Sequence, residues 1–287
     1  MRARTVVPAL IVLLVVCGVG GYLAHGKWPD DLELPLPKLG APQCVAEADG
    51  QVRLDPEQMA NAATITAVGI RRNVPDRAVT VALATALQES KLRNLEHLGG
   101  GNDHDSVGLF QQRPSQGWGT AAQIMDPRYA ADRFYRSLAR IKGWEKMRIT
   151  EAAQRVQRSA YPEAYQKWAD EATVLTKVLT GQVPGGVTCD TEDGGDVALT
   201  PAGLVERIKL DFGAKAKGVT TVAGELRVPA ATDRAGWQFA HWLVAQAPAA
   251  GVRKVTFADR QWSAENGAWS GAEKKAEQVV AAVRPAG

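Results

Sequence analysis

The sequence predicts a mainly helical domain followed by a small α+β domain, with one transmembrane helix in front of them. Three observations predict this class. Of the 287 residues, 45% are hydrophobic and 23% are charged, which is a composition typical of folded protein. One long uncharged stretch lies near the N-terminus, while a mean hydropathy of −0.19 excludes a polytopic membrane protein. Helix-start signals dominate residues 55–180, and clear strand patterns enter only after residue 200.

The first predicted element is an uncharged, apolar segment from Val6 to Leu23. At about 1.5 Å per residue such a helix spans about 27 Å, close to the hydrocarbon thickness of a bilayer. Arg2 and Arg4 precede it, so the positive-inside rule predicts a single-pass protein of the cell membrane with a cytoplasmic N-terminus and an extracytoplasmic bulk. We expect residues 1–27 to be an uncleaved anchor rather than a cleaved signal peptide, because bulky side chains crowd the candidate cleavage site at Ala24.

Four prolines make residues 28–43 a stiff, extended stalk. Beyond the anchor the chain has two cysteines, Cys44 and Cys189, which bracket the predicted helical domain at residues 44–189. In an oxidising compartment an even pair predicts a disulfide, and two free thiols are the alternative. Closing so long a loop stabilises a fold by about 4–5 kcal/mol on the chain-entropy model.

The helical domain is predicted to begin with a capped helix. Asp55 is placed as the N-cap, Pro56 at the first helical position and Gln58 at the capping-box position. This helix is expected to end near Gly69. The next helix is apolar almost all round from Ala78 to Leu87, so we expect it to be the buried centre of the domain.

Three further helices are predicted after a long glycine-rich stretch, residues 91–120. They are expected to begin at Asp126, after a cap at Thr150, and at Pro162. The last of them has an apolar face that we expect to turn toward the core, formed by Tyr165, Trp168, Ala172 and Leu175. A long loop in a compact domain is usually functional or disordered, which makes residues 91–120 a candidate functional segment.

Residues 190–200 are predicted to link the two domains, because the stretch from 181 to 199 is rich in glycine with a small acidic cluster. The second domain, residues 201–287, mixes helical and strand patterns, which predicts a small α+β unit. Its helices are predicted over Leu204–Phe212 and Ala235–Ala247, and its strands over Val219–Val228, Val252–Ala258 and Gln278–Val283.

The charge pattern argues against two classes of partner. The net charge is only +3, from 34 basic and 31 acidic residues, and no dense basic block stands out, so no nucleic-acid partner is expected. His97, Asp103, His104 and Asp105 lie close together in the glycine-rich stretch. Their spacing matches no standard metal site, so neither a metal nor another cofactor is predicted.

Glu89 is the main candidate for chemistry, because it lies at the last turn of the apolar helix. Partial burial and the negative end of the helix dipole both favour the protonated form of a carboxyl group. A carboxyl group that keeps its proton near neutral pH is what a general acid requires. On position alone, a solvated glutamate at the end of a helix is the alternative.

Two separated motifs then indicate a family. Residues 88–90 read Gln-Glu-Ser, residues 106–111 read Ser-Val-Gly-Leu-Phe-Gln, and residues 112–119 continue with Gln-Arg-Pro-Ser-Gln-Gly-Trp-Gly. This pattern resembles the lysozyme-like superfamily, especially soluble lytic transglycosylases and goose-type lysozymes. Within it, the chain is most similar to membrane-anchored cell-wall hydrolases of actinobacteria. The resemblance extends to about Leu179 and so covers roughly half of the chain.

The resemblance implies a lysozyme-like fold and cleavage of the β-1,4 bond between N-acetylmuramic acid and N-acetylglucosamine in peptidoglycan. Glu89 would protonate the leaving oxygen. In the transglycosylases the same residue then takes a proton from the C6 hydroxyl of muramic acid and closes a 1,6-anhydro ring. In goose-type lysozymes, loop aspartates position a water molecule. Asp103 and Asp105 keep this hydrolytic route open, with Asp105 as the second candidate catalytic residue; a polar loop is the alternative.

The same resemblance implies four substrate-binding residues: Ser90, Gln111, Trp118 and Tyr161. Gln111 would contact the sugar ring or its N-acetyl group. Trp118 would stack on a sugar face, with packing at the domain edge as the alternative. Tyr161 lies where transglycosylases carry an Ala-Tyr-Asn segment, although Pro162 replaces the asparagine.

The second domain carries a set of tryptophans, Trp237, Trp242, Trp262 and Trp269. It faintly resembles C-terminal domains of other exported actinobacterial proteins, some of which look like zinc-dependent wall peptidases. Only His241 is available as a histidine ligand, so no peptidase activity is expected. A wall or protein partner of this domain is a hypothesis, and packing in the core is the alternative for the tryptophans. For the whole protein, the alternative to an enzyme is a non-catalytic peptidoglycan-binding or interaction protein on a lysozyme-like fold.

Overall fold

A computed structural model describes residues 42–96, 105–159, 161–191 and 199–284. The predicted anchor, residues 1–27, and the stalk up to residue 41 lie outside the described residues. Within the described ranges, no helix combines the length and the apolar character needed to cross a bilayer. Helices and two small antiparallel sheets make up the fold, in agreement with a helix-rich part followed by an α+β part.

A three-stranded antiparallel sheet brackets the helix-rich part. Its central strand β1 (Cys44–Glu47) pairs with β2 (Gln51–Leu54) on one side and with β3 (Val187–Cys189) on the other. In this register Cys44 lies opposite Cys189, and a disulfide joins them, so the predicted disulfide is confirmed. Strand β3 was not predicted; it lies in the glycine-rich stretch 181–199, just before the predicted linker at residues 190–200. Pairing with β1 satisfies its backbone groups and buries its cysteine.

The helices between β2 and β3 surround one buried helix. They are α1 (Pro56–Arg71), α2 (Asp76–Ser90), α3 (Ala121–Ile124), α4 (Pro127–Leu138), α5 (Ile149–Gln157) and α6 (Ala169–Leu179). Asp55 caps α1 in a complete capping box with Gln58, as predicted. Every residue of α2 from Ala78 to Leu87 is buried, which confirms its central place.

Two predicted helix starts are wrong. Helix α5 begins at Ile149, and Thr150 lies buried in its first turn, where its hydroxyl donates to the carbonyl of Pro162 instead of capping the helix. The last helix of this part does not begin at Pro162: a 3₁₀ turn over Gln166–Trp168 precedes it. The Trp168 N–H donates to the Tyr165 carbonyl at 3.1 Å, the spacing of a 3₁₀ turn, and the side chains of Tyr165 and Trp168 hydrogen-bond to the end of α2.

The short helix α3 was not predicted, although its sequence contains the signal. Thr120 accepts a hydrogen bond from the Gln123 N–H, and the Gln123 side chain bonds back to the Thr120 N–H, which makes a second capping box. The helix is only one turn long, so no hydrophobic period reveals it.

The second part packs its helices against a four-stranded antiparallel sheet with the order β4-β5-β7-β6. Its elements are α7 (Pro201–Phe212), β4 (Thr220–Val222), β5 (Glu225–Val228), α8 (Asp233–Ala250), β6 (Val252–Ser263) and β7 (Ala268–Val283). The single strand predicted over Val219–Val228 is a hairpin, because Ala223 and Gly224 both take positive φ, 51° and 80°, and reverse the chain. The predicted strands Val252–Ala258 and Gln278–Val283 form only the base of the longer β6–β7 hairpin.

Helix α8 joins the two parts, and the described residues from 42 to 284 form one compact unit. Its His241 is fully buried. The Nδ1–H of His241 donates to the Val178 carbonyl at 2.8 Å, and Nε2 accepts from the Gly186 N–H at 3.0 Å. Three of the tryptophans, Trp237, Trp242 and Trp262, are buried, so packing in the core is their role.

The interface between the parts also contains a buried carboxylate. Asp211 of α7 accepts hydrogen bonds from Trp242 Nε1 at 2.7 Å and from the Thr64 hydroxyl at 3.2 Å, and it forms an ion pair with Arg128 of α4. Burial nevertheless raises the pKa of Asp211, and the Arg128 charge opposes that effect. A buried charge with three partners fixes how α1, α4, α7 and α8 pack.

Candidate functional site

Glu89 lies half-buried in the last turn of α2, where the chain leaves the helix through Lys91 at a φ of 56°. The hydroxyl of Tyr165 donates to Glu89 Oε1 at 2.7 Å. Burial raises the pKa of Tyr165, and the neighbouring Glu89 carboxyl raises it further. The phenol therefore remains a protonated donor at every physiological pH, and it holds one oxygen of Glu89 in place.

The two predicted motifs meet in space at the end of α2. The buried Ser90 hydroxyl lies 2.8 Å from the Leu109 carbonyl oxygen and 3.2 Å from that of Ala86. From α5, Gln157 donates to the Phe110 carbonyl at 2.8 Å. Ser90 therefore acts on the site by holding the Gly-Leu-Phe-Gln turn against the helix that carries Glu89.

The Gly-Leu-Phe-Gln turn has an unusual backbone that its sequence explains. Val107 and Gln112 pair across it, and both Gly108 and Gln111 have positive φ, 76° and 46°. A Cβ on Gly108 would lie 2.9 Å from the Ile124 carbonyl oxygen, so glycine is required there for space as well as conformation. The Gln111 side chain donates to the Gly108 carbonyl at 3.0 Å and braces the turn from within.

Asp105 holds a neighbouring loop. Its two carboxylate oxygens accept from the Ser115 N–H at 2.7 Å and from the Ser115 hydroxyl at 2.8 Å. These hydrogen bonds lower the pKa of Asp105, with the backbone bond as the largest cause. Asp105 is thus an anion that anchors residues 113–117. Asp103, the other candidate of the hydrolytic route, lies outside the described residues.

Neither Trp118 nor Tyr161 takes part in the hydrogen bond that holds Glu89. Trp118 is partly buried against the core, and its carbonyl accepts from the Tyr129 hydroxyl at 3.1 Å. The Tyr161 ring is the most exposed large apolar side chain in the described parts, at 75%. The exposed Tyr161 ring is therefore free to contact a ligand. The tyrosine that hydrogen-bonds to Glu89 is Tyr165, four residues later in the chain.

The 3₁₀ turn before α6 adds residues to the site that the sequence did not single out as functional. Trp168 Nε1 donates to Gln88 Oε1 at 2.9 Å. The Lys91 ammonium lies 3.9 Å from the centroid of the Trp168 ring, and that of Lys167 lies 5.4 Å from it. The sequence contained one signal for these residues. Tyr165 and Trp168 were predicted on the apolar, inward face of the helix, and a buried phenol or indole needs a hydrogen-bond partner inside the protein.

Metal chemistry finds no support in the described ranges, where no group of three or more His, Cys, Asp or Glu side chains is placed to hold an ion. His97, Asp103 and His104 lie outside those ranges. Within the described ranges, Glu89 is a half-buried carboxyl group held by the protonated phenol of Tyr165. The chain matches no protein-family model, and no curated protein matches it.

Proposed function

We propose that residues 44–189 are a lysozyme-like domain that cleaves peptidoglycan glycan strands at the bond between N-acetylmuramic acid and N-acetylglucosamine, with Glu89 as the general acid. The observation that carries the proposal is the 2.7 Å hydrogen bond from Tyr165 to Glu89 Oε1. Because Oε1 accepts this bond, Oε2 is the oxygen from which the proposed acid would donate its proton. The carboxyl group therefore has a defined orientation toward a leaving oxygen.

The meeting of the two motifs supports the same proposal. The Gln-Glu-Ser and Gly-Leu-Phe-Gln segments are separated by the long glycine-rich stretch, yet the Ser90 hydroxyl joins them directly. Glu89 is only half-buried, so part of its carboxyl group is open to a ligand. Two motifs that served only to pack the core would not require a partly exposed glutamate. The lysozyme-like resemblance accounts for both the contact and the exposed acid.

Between the two routes, we favour the lytic transglycosylase reaction. Both oxygens of Asp105 already accept hydrogen bonds from Ser115, and these bonds lower its pKa, which makes it a weaker base. The transglycosylase route needs no second carboxylate, because Glu89 itself removes the proton from the C6 hydroxyl as the 1,6-anhydro ring closes.

The test is digestion of purified sacculi by the wild type and by Glu89→Gln. We expect the wild type to release muropeptides and Glu89→Gln to release them at least about 100-fold more slowly, the usual contribution of a general acid. Glu145→Gln, the same chemical change at an exposed glutamate, is the control and should retain full activity. Equal release by all three proteins, or release by none, overturns the proposal.

A non-catalytic peptidoglycan-binding or interaction protein remains the second candidate function, and the sacculus assay separates the two. It would bind sacculi without releasing muropeptides. We also propose that residues 1–27 anchor the chain in the cell membrane and that the stalk holds the domain outside. Recovery of the full-length chain from the medium rather than from the membrane fraction would contradict this part.

A further inference from the structure

A pair of cations next to Glu89 has no part in the proposed acid chemistry. Lys91 follows the Gln-Glu-Ser motif by one residue, and Lys167 belongs to the 3₁₀ turn that faces it. Both ammonium groups lie over the ring of Trp168, at 3.9 Å and 5.4 Å from its centroid. Because the indole N–H of Trp168 is bonded to Gln88, the ring is a fixed platform attached to the same helix end as Glu89.

The two ammonium groups of this lysine pair interact electrostatically with each other. In the portion of the chain that the structure describes, neither Lys91 nor Lys167 forms an ion pair within 4 Å, whereas Lys177 in the next helix pairs with Asp49 at 2.8 Å. Burial lowers the pKa of Lys91, and the charge of Lys167 lowers it further. Two like charges therefore lie beside the same indole ring, and a bound anion would offset their mutual repulsion.

We propose that Lys91 and Lys167, placed on Trp168, bind a carboxylate carried on the lactyl arm of the muramic acid residue at the cleavage site. This inference rests on the proposed function and names the group by which the site recognises its substrate. N-acetylglucosamine is uncharged, whereas muramic acid carries either its own lactyl carboxylate or a peptide stem with carboxylates. A cationic pair beside the acid would thus select the muramyl residue.

The test measures binding rather than cleavage, in the Glu89→Gln background. Three soluble glycan strands are compared: strands with peptide stems, amidase-treated strands with free lactyl carboxylates, and the treated strands with those carboxylates converted to neutral methylamides. We expect both anionic forms, or the peptide-bearing form alone, to bind about 5- to 10-fold more tightly than the neutral form. Which of these two patterns is seen identifies the lactyl group or the stem as the source of the carboxylate.

The variants assign this preference to the lysines. Lys91→Gln combined with Lys167→Gln should bind all three strands with nearly equal affinity, while the double arginine variant should keep the preference. Lys274→Gln with Lys275→Gln removes the same two charges from exposed positions of β7 and should change nothing. Raising the salt concentration should shrink the wild-type preference, because screening weakens exposed ion pairs. Melting temperatures of all variants check that they fold.

Failure of this inference and failure of the proposed function give different results. Equal affinity for anionic and neutral strands, or a preference that persists in the double glutamine variant, overturns the role of the lysine pair and leaves the cleavage assay untouched. Lysine-dependent binding without any muropeptide release by the wild type overturns the enzymatic proposal and leaves carboxylate recognition standing.

Discussion

Glu89 and Asp105 are both carboxyl groups close to the recognised motifs, but their surroundings give them different roles. Glu89 is half-buried and accepts one hydrogen bond from a phenol that does not ionise at physiological pH. Asp105 has both oxygens bonded to Ser115, which stabilises its anion. The first arrangement suits a proton donor with a defined orientation, and the second suits a loop anchor.

Removing the Tyr165 hydroxyl should therefore weaken catalysis by Glu89, although the Glu89 carboxyl group itself stays in place. For Tyr165→Phe we expect muropeptide release to slow by about 10- to 100-fold, because Glu89 loses the hydrogen bond that orients it. Release rates on sacculi measure the effect, with melting temperature as a check on folding. The exposed control Glu145→Gln should behave like the wild type. A comparable loss in both variants would contradict the assignment.

Asp105→Asn should leave the chemistry nearly intact. If Glu89 acts alone, the variant should keep its release rate within about threefold, and mass spectrometry should show 1,6-anhydro ends both before and after the change. A drop of 100-fold together with reducing ends among the wild-type products would instead identify Asp105 as the base of a hydrolytic route.

At the scale of elements, α8 contacts both parts of the fold and packs closely against the strand that follows it. Gly236 in its first turn faces Phe257 of β6, and an added Cβ would lie 2.0 Å from that ring. The ring is buried against Trp237, edge to face at 5.3 Å, so it has little room to move. The glycine is thus needed for close packing of helix on sheet.

Gly236→Ala should destabilise the fold by about 1–3 kcal/mol through overpacking. Gly203→Ala makes the same change in the first turn of α7, where the nearest heavy atom would be 3.4 Å away. It should be neutral or stabilise by up to about 1 kcal/mol, because the unfolded chain loses freedom. Urea unfolding of both variants measures the difference, and equal midpoints would refute this reading of the helix–sheet contact.

His241 connects α8 to the segments around Val178 and Gly186, and it does so only as a neutral ring. Burial lowers its pKa to about 4, from an ordinary value of about 6.5. The unfolded chain therefore binds a proton between these two pH values while the folded chain does not. Stability is full above about pH 6.5 and falls as the pH drops toward 4, by on the order of 3 kcal/mol.

Urea unfolding at pH 7.5 and pH 4.5 tests this linkage by comparing the wild type with His241→Gln. The variant should be less stable at pH 7.5, because two buried hydrogen bonds are disturbed, and its stability should fall less between the two pH values. An unchanged pH dependence in the variant would show that other groups account for the acid sensitivity.

At the scale of the whole molecule, long-range contacts hold together the residues that the structure describes. The Asp211 cluster joins four helices, and the disulfide closes a loop of 145 residues between the first and last strands of the helix-rich part. The parts thus share buried polar contacts as well as apolar surface.

Replacing both Cys44 and Cys189 with serine should lower the free energy of unfolding by about 4–5 kcal/mol at most, because the unfolded chain regains the entropy of the open loop. Denaturant unfolding of the oxidised wild type and the double variant measures this. A loss below about 1 kcal/mol would mean that the unfolded state is already restricted in some other way.

Local signals in the sequence were enough to determine several elements. The Asp55 capping box, the buried helix from Ala78 to Leu87 and the disulfide follow from short patterns and from a count of cysteines, and the structure agrees with each. The cap and the buried helix depend on residues within one or two helical turns of each other. The disulfide follows because two cysteines beyond the anchor allow a single pairing. The position of Glu89 at a helix end belongs to the same class.

Only the tertiary structure decided how the site is assembled. Tyr165, the hydrogen-bond partner of Glu89, lies 76 residues further along the chain, and no local pattern distinguishes it from Tyr161 as that partner. A 3₁₀ turn stands near the position where α6 was predicted to begin, and the pairing of β3 with β1 forms a strand just before the predicted linker. A hydrogen bond to a distant group and a local helix or strand preference contribute similar free energies. The local structure therefore depends on which distant groups the packed core brings within reach.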